Sequence, residues 1–175
     1  MSSSRNRLLS GLWGLALLPL CGCGFTPLYG GGQDGGTSVA AQLDTVNVAN
    51  IPERTGQMLR LALETQLHAA GAPSTELYSL SVNYSLGGAD VGEQEDTSYT
   101  RERFTGTAHW TLTPIGAPSK PLATGQASTE DAANIIDQQY FALTLETDTV
   151  NQQVANVIAS QITTQVAAYF KTHPG

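Results

Sequence analysis

The sequence predicts an α+β fold, a two-layer sandwich in which a four-stranded sheet carries two helices on one face in the order β-α-β-β-β-α. Three patterns predict it. Two stretches carry apolar residues at helical spacing, two carry strict alternation over ten or more residues, and turn-forming residues separate them. Each helix then has one apolar stripe to bury and the sheet has one apolar face to bury it against.

Residues 43–49 predict the first strand, with Val46 and Val48 on one face. A helix follows from about Pro52, since proline is tolerated in a first turn, and its stripe runs Leu59, Ala62, Leu63, Leu67 and Ala70. Gly71 and Pro73 supply its stop. Residues 76–86 alternate Tyr78, Leu80, Val82, Tyr84 and Leu86 against Ser79, Ser81, Asn83 and Ser85, the signature of a half-buried strand. Residues 87–97 (GGADVGEQEDT) read as an acidic surface loop. From Tyr99 to Leu112 alternation resumes: Phe104, Ala108, Trp110 and Leu112 on one side, Arg101, Arg103, Thr105, Thr107, His109 and Thr111 on the other, with Gly106 in the apolar row. Residues 122–129 predict the fourth strand. A long helix over 147–170 buries Val150, Val154, Val157, Ile158, Ile162, Val166 and Tyr169, and Lys171 suits its negative end.

Ahead of this body, Arg5 and Arg7 precede an apolar run from Leu8 to Leu20, the layout of a secretory signal peptide and too short for a permanent span. Leu20-Cys21-Gly22-Cys23 fits a bacterial lipobox, with Cys23 as the first mature residue; Cys21 fits less well because Leu20 would occupy the position that wants a small side chain. The competing reading is an ordinary cleaved signal with an incidental cysteine. Three segments result: signal peptide 1–22, a lipidated N-terminus and glycine-rich tether 23–38, and an α+β domain 39–175. The tether Gly30–Ser38 reaches at most roughly 30 Å, and about 16 Å as a coil.

Three further motifs narrow the class. Cys23-Gly24-Phe25-Thr26-Pro27-Leu28-Tyr29-Gly30 resembles the mature N-terminus of LptE-type lipopolysaccharide-assembly lipoproteins, especially their alphaproteobacterial branch. Ile51-Pro52-Glu53-Arg54-Thr55-Gly56-Gln57-Met58-Leu59-Arg60 resembles the family's opening of the first helix, and Val166-Ala167-Ala168-Tyr169-Phe170 its C-terminal helix. The resemblance spans Cys23 to Phe170. It implies an N-acyl diacylglyceryl anchor on Cys23, the same two-layer fold, residence on the periplasmic side of the outer membrane, and a role as plug and assembly partner of an LptD-type β-barrel. Gly24, in place of the aspartate that retains lipoproteins in enteric bacteria, fits onward export.

Composition sets the exclusions. Loss of Arg5 and Arg7 leaves six Lys and Arg against fifteen Asp and Glu, a mature net charge of −9. Such a chain is unsuited to nucleic acid, whose binding rests on neutralising phosphates, and gains nothing from anionic head groups. Attachment must come from acyl chains, at roughly 0.8 kcal/mol per buried CH₂. Only Cys23 remains after cleavage, so no disulfide forms. No nucleophile elbow surrounds a serine, and His68, His109 and His173 lack metal-site spacing, so neither catalysis nor a cofactor or metal is expected. Asp90, Glu93, Glu95 and Asp96 lack the EF-hand spacing and read as solvated acids.

The candidate contacts are therefore surfaces. Phe25, Pro27, Leu28 and Tyr29 are expected to meet a partner or the lipid interface, the alternative being a leader with chance aromatics. The hydroxyl and amide face of the second and third strands, with Ser81, Asn83, Thr105 and Thr107, is expected to suit the polar lumen of a barrel; the plainer reading is simple solvation of a one-sided sheet. Arg101 and Arg103, two residues apart on that face, are expected to grip a lipopolysaccharide phosphate. The plainer reading pairs them with Glu102-side neighbours or the acidic loop. A rival function is an auxiliary lipoprotein of an ABC-type lipid transport system; a lipid-anchored hydrolase would need a Ser/His/Asp cluster in a concave pocket.

Overall fold

The structure, a computed structural model, describes residues 38–69, 75–93, 99–134 and 140–173. Cys23, Phe25, Pro27, Leu28 and Tyr29, the signal segment, most of the tether, Ala70, Gly71, Pro73, Glu95 and Asp96 lie outside the described residues.

In chain order the elements are α1 (Val39–Leu43), β1 (Val46–Val48), α2 (Arg54–Leu67), β2 (Tyr78–Glu93), β3 (Tyr99–Pro114), β4 (Ala123–Asn134) and α3 (Tyr140–Thr172). The sheet order is β1-β2-β3-β4, with β1 parallel to β2 and the other pairs antiparallel. The α+β class, four strands and one helix-covered face agree with the sequence reading.

Several boundaries differ from it. A short helix, α1, precedes the sheet; the Ser38 side chain caps it by accepting from the Ala41 N–H at 3.2 Å, so Leu43 ends a helix rather than opening a strand. Helix α2 starts at Arg54, two residues after Pro52, and closes at Leu67. The supposed acidic loop is strand as far as Glu93: Gly87 pairs with Thr105, Ala89 with Arg103 and Val91 with Arg101. Glycine and aspartate disfavour strands in isolation, but pairing along a long hairpin overrides propensity. Strand β4 likewise continues five residues past Thr129, to Asn134, and α3 begins seven residues earlier, at Tyr140.

The core lies between the sheet and the α2–α3 pair. Leu59, Leu63 and Leu67 of α2, Leu80, Ala108, Trp110 and Leu112 of the sheet, and Val154, Ile158, Ile162 and Val166 of α3 are all buried. Each of the larger aliphatic chains contributes roughly 1.5–3 kcal/mol by leaving water. On α3 the buried stripe leans toward Ala155, Ala159, Thr163 and Ala167, so Val157, expected inside, is 44% exposed. Phe170 rather than Tyr169 fills the last turn of the core, with its ring 5.1 Å from that of Tyr78.

Two close approaches explain glycines. A Cβ at Gly106 would lie 2.5 Å from Val154 Cγ1 and 2.8 Å from Ile158 Cδ1, so α3 can lie against β3 only because that side chain is missing. At Gly125 a Cβ would meet the Trp110 ring at 2.7 Å and Gln165 Oε1 at 2.6 Å. His68 is half-buried at the end of α2, and its Nε2 lies 2.9 Å from the Val46 carbonyl oxygen, tying α2 to β1.

Candidate partner interface on the open sheet face

Because side chains alternate along a strand, every second residue of β2, β3 and β4 points away from the helices. The register sets them in rows: Ser81 beside Thr111 beside Thr124; Asn83 beside His109 beside Gln126; Ser85 beside Thr107 beside Ser128; Gly87 beside Thr105 beside Glu130. Ser81, Asn83 and Thr105 are exposed and Thr107 is half-buried. Short hydroxyl and amide groups thus cover most of this face, with His109 and Glu130 as its titratable members.

Strand β4 was missing from the sequence reading of this face, although it supplies a third of it. Its signal was there in the period of two through Thr124, Gln126 and Ser128. Those residues are small and polar, with few apolar partners in between, so the alternation was weak.

At the end of the sheet the face changes character. Arg103 lies between Ala89 and Ala132, and Arg101 pairs in register with Val91. Val91, Arg101, Arg103 and Ala132 line an open pocket of about 210 Å³. Both arginines are exposed, and neither forms an ion pair among the described residues. Glu102 does not pair with them, because one residue's step puts it on the opposite face. There it shares a row with Asp90, and Asp131 stands in the next. The nearby carboxylates are therefore divided between the two faces, Asp90, Glu102 and Asp131 on one and Glu93 and Glu130 on the face of the arginines.

On the helix side, Tyr84 Oη is buried without a hydrogen-bond partner among the described residues, and desolvation pushes its pKa up to about 12. Among the described residues no three His, Cys, Asp or Glu side chains converge as a metal site would require, and no helix is long and apolar enough to cross a membrane.

A model of the LptE lipopolysaccharide-assembly family matches residues 43–166, well over half of the chain. The chain belongs to the LptE family. No curated protein sequence matches it. Among solved structures, this LptE-family chain is similar to a lipoprotein from Caulobacter crescentus (TM-score 0.64, 18% identity, 76% of this chain and 96% of that one). It is also similar to a minor lipoprotein from Acinetobacter baumannii (TM-score 0.57, 16% identity, 71% and 91%). Rare lipoprotein B from Shewanella oneidensis shares the fold as well (TM-score 0.53, 9% identity, 74% and 96%). At these identities the likeness is one of fold.

Proposed function

We propose that this LptE-family protein is a non-enzymatic, outer-membrane lipoprotein, anchored through acylated Cys23, that pairs with and plugs an LptD-type β-barrel in lipopolysaccharide assembly. The observation that carries the reading, beside family membership, is the open sheet face. Its three strands present a nearly uncharged hydroxyl and amide wall, and the lumen of an outer-membrane barrel is polar. Such a wall makes many modest hydrogen bonds without stranding a charge away from water. The mechanism is occupancy: a rigid body fills the lumen and supports the barrel's folding. Phe25, Pro27, Leu28 and Tyr29 would add contacts near the anchor.

Lipopolysaccharide itself would meet the Arg101 and Arg103 pair. Guanidinium groups match phosphate geometry in bidentate fashion, and neither arginine has an ion-pair partner among the described residues. Strand pairing directs Asp90 and Glu102 to the other face.

The test is purification of the tagged full-length protein from detergent-solubilised outer membrane. Stoichiometric recovery of an LptD-type barrel supports the reading; recovery of ABC-transporter subunits without a barrel replaces it with the auxiliary-lipoprotein reading. Arg101→Ala/Arg103→Ala is expected to weaken lipopolysaccharide binding while barrel pairing persists, and unchanged lipid binding removes both residues from the site.

A further inference from the structure

The two edges of the sheet are finished differently. Along β4 the outward backbone groups belong to the even-numbered residues, and α3 side chains cover those at Gln126 and Ser128. Gln161 Oε1 accepts from the Ser128 N–H at 3.2 Å while Gln161 Nε2 donates to the Ser128 carbonyl at 3.2 Å, the two bonds a neighbouring strand would make. Gln165 Nε2 donates to the Gln126 carbonyl at 3.0 Å, held in place by Trp110 Nε1, which donates to Gln165 Oε1 at 2.9 Å. The Ala132 N–H donates to Asp131 Oδ1 at 2.8 Å. Side chains stand in for a fifth strand, one of the ways proteins block edge-to-edge pairing.

Among the described residues strand β2 has no such cover. Strand β1 pairs only with Tyr78, Ser79 and Leu80, and the last bond on that side runs from the Ala49 N–H to the Leu80 carbonyl at 2.9 Å. The chain then leaves the sheet through a turn in which Glu53 adopts φ 69°, a left-handed value uncommon for a side chain of its size, and α2 begins at once. Since Leu80 faces β1, the residues facing the same way beyond it are Val82, Tyr84, Leu86, Gly88 and Asp90. None of their main-chain groups is bonded on that side by a described residue. Nor does β2 contain a lysine or proline to blunt the edge.

We propose that the outer edge of β2, from Val82 to Asp90, is a strand-addition site for an extended, basic segment of a partner polypeptide. Main-chain hydrogen bonds to the five even-numbered residues would supply the pairing. The charge of the occupant follows from the end of the edge: Asp90 is on it, Glu102 is directly across from Asp90, and neither carboxylate has an ion-pair partner among the described residues. Lysine or arginine on the incoming strand complements that row, and a second copy of this chain, itself strongly acidic, does not. The proposal stands apart from the barrel and anchor assignments, because it rests on the edge alone.

The experiment follows amide exchange residue by residue by NMR in the full-length protein in detergent, alone and with an end-blocked octapeptide, (Lys-Val)₄. In the free protein the amides of Val82, Tyr84, Leu86 and Gly88 should exchange faster than those of Asn83, Ser85 and Gly87, which bond to β3. Saturating peptide should slow the even-numbered set by at least about tenfold and leave the odd-numbered set unchanged. A (Lys-Val)₄ peptide N-methylated along one edge should lose the effect, (Glu-Val)₄ should bind at least about tenfold more weakly, and Asp90→Asn/Glu102→Gln should erase that preference. The proposal is overturned if the even-numbered amides are already slow in dilute free protein, since the edge is then covered from within the chain. It is overturned equally if their protection rises with protein concentration, which marks self-pairing, or if (Lys-Val)₄ at millimolar concentration gives no alternating protection.

Discussion

Replacing Gly106 by alanine tests the closest approach in the fold. The new methyl would sit 2.5 Å from Val154 Cγ1 and 2.8 Å from Ile158 Cδ1, both on α3, and 3.4 Å from Tyr84 Oη. Val154 and Ile158 are fully buried, so neither has an empty rotamer to move into, and relief requires α3 to shift away from β3. Overpacking of this kind costs about 1–3 kcal/mol. For a folded body of this size that lowers the melting temperature by roughly 4–10 °C in circular dichroism or calorimetry. Two controls make the cause legible. Gly87→Ala, on the same sheet but with nothing within 4 Å of its Cβ, should stay within about 0.5 kcal/mol of wild type. Gly106→Ala/Val154→Ala should be less destabilised than the sum of its parts by at least about 1 kcal/mol, because removing the Val154 methyls makes the space the new methyl needs. A Gly106→Ala protein that melts with wild type, or strict additivity in the double variant, refutes the packing argument.

Three further outcomes follow from the same geometry. Burial raises the Tyr84 pKa to about 12 from an ordinary 10, so the folded state holds this proton more tightly than the unfolded one; its contribution is intact below pH 10 and is lost between pH 10 and 12. Tyr84→Phe, which also removes an unpartnered hydroxyl, should match or exceed wild type at pH 7 in urea titrations and lose less stability over that alkaline window. Gln165→Leu strips the partners of both Trp110 Nε1 and the Gln126 carbonyl and should cost about 1–3 kcal/mol, with a shift in tryptophan emission. By contrast, Arg54→Ala should change stability by less than about 0.5 kcal/mol in the same titrations, since its 2.9 Å pair with Asp148 has side chains 74% and 37% exposed.

Wherever one face is buried against one partner, the sequence was a sufficient guide. Tyr78 to Leu86 and Phe104 to Leu112 alternate because the helix layer selects every second residue, and α2 kept its stripe for the same reason. The misreadings share a different cause. Gly87, Gly88 and Asp90 have no strand preference of their own, and only pairing with β3 holds them extended. Val157 is as apolar as Val154, yet α3 turns its alanines toward the core, and the close-packed line Ala155, Ala159 and Ala167 was the overlooked signal. His68 carries no periodic mark at all; its bond to Val46 depends on where two distant segments meet. The candidate face was legible in β2 and β3, whereas the separation of Arg101 and Arg103 from Asp90 required knowing that the acidic segment is a strand.

The central claim, that the polar sheet face is what a barrel lumen receives, is tested most directly by paired photocrosslinking in the intact outer membrane. A photoreactive residue in place of Thr107, on that face, should crosslink to an LptD-type barrel, while one in place of Val157, on the exposed side of α3, should give the lower yield. Crosslinks to the barrel from Val157 but not from Thr107 would place the helix layer against the lumen and contradict the account.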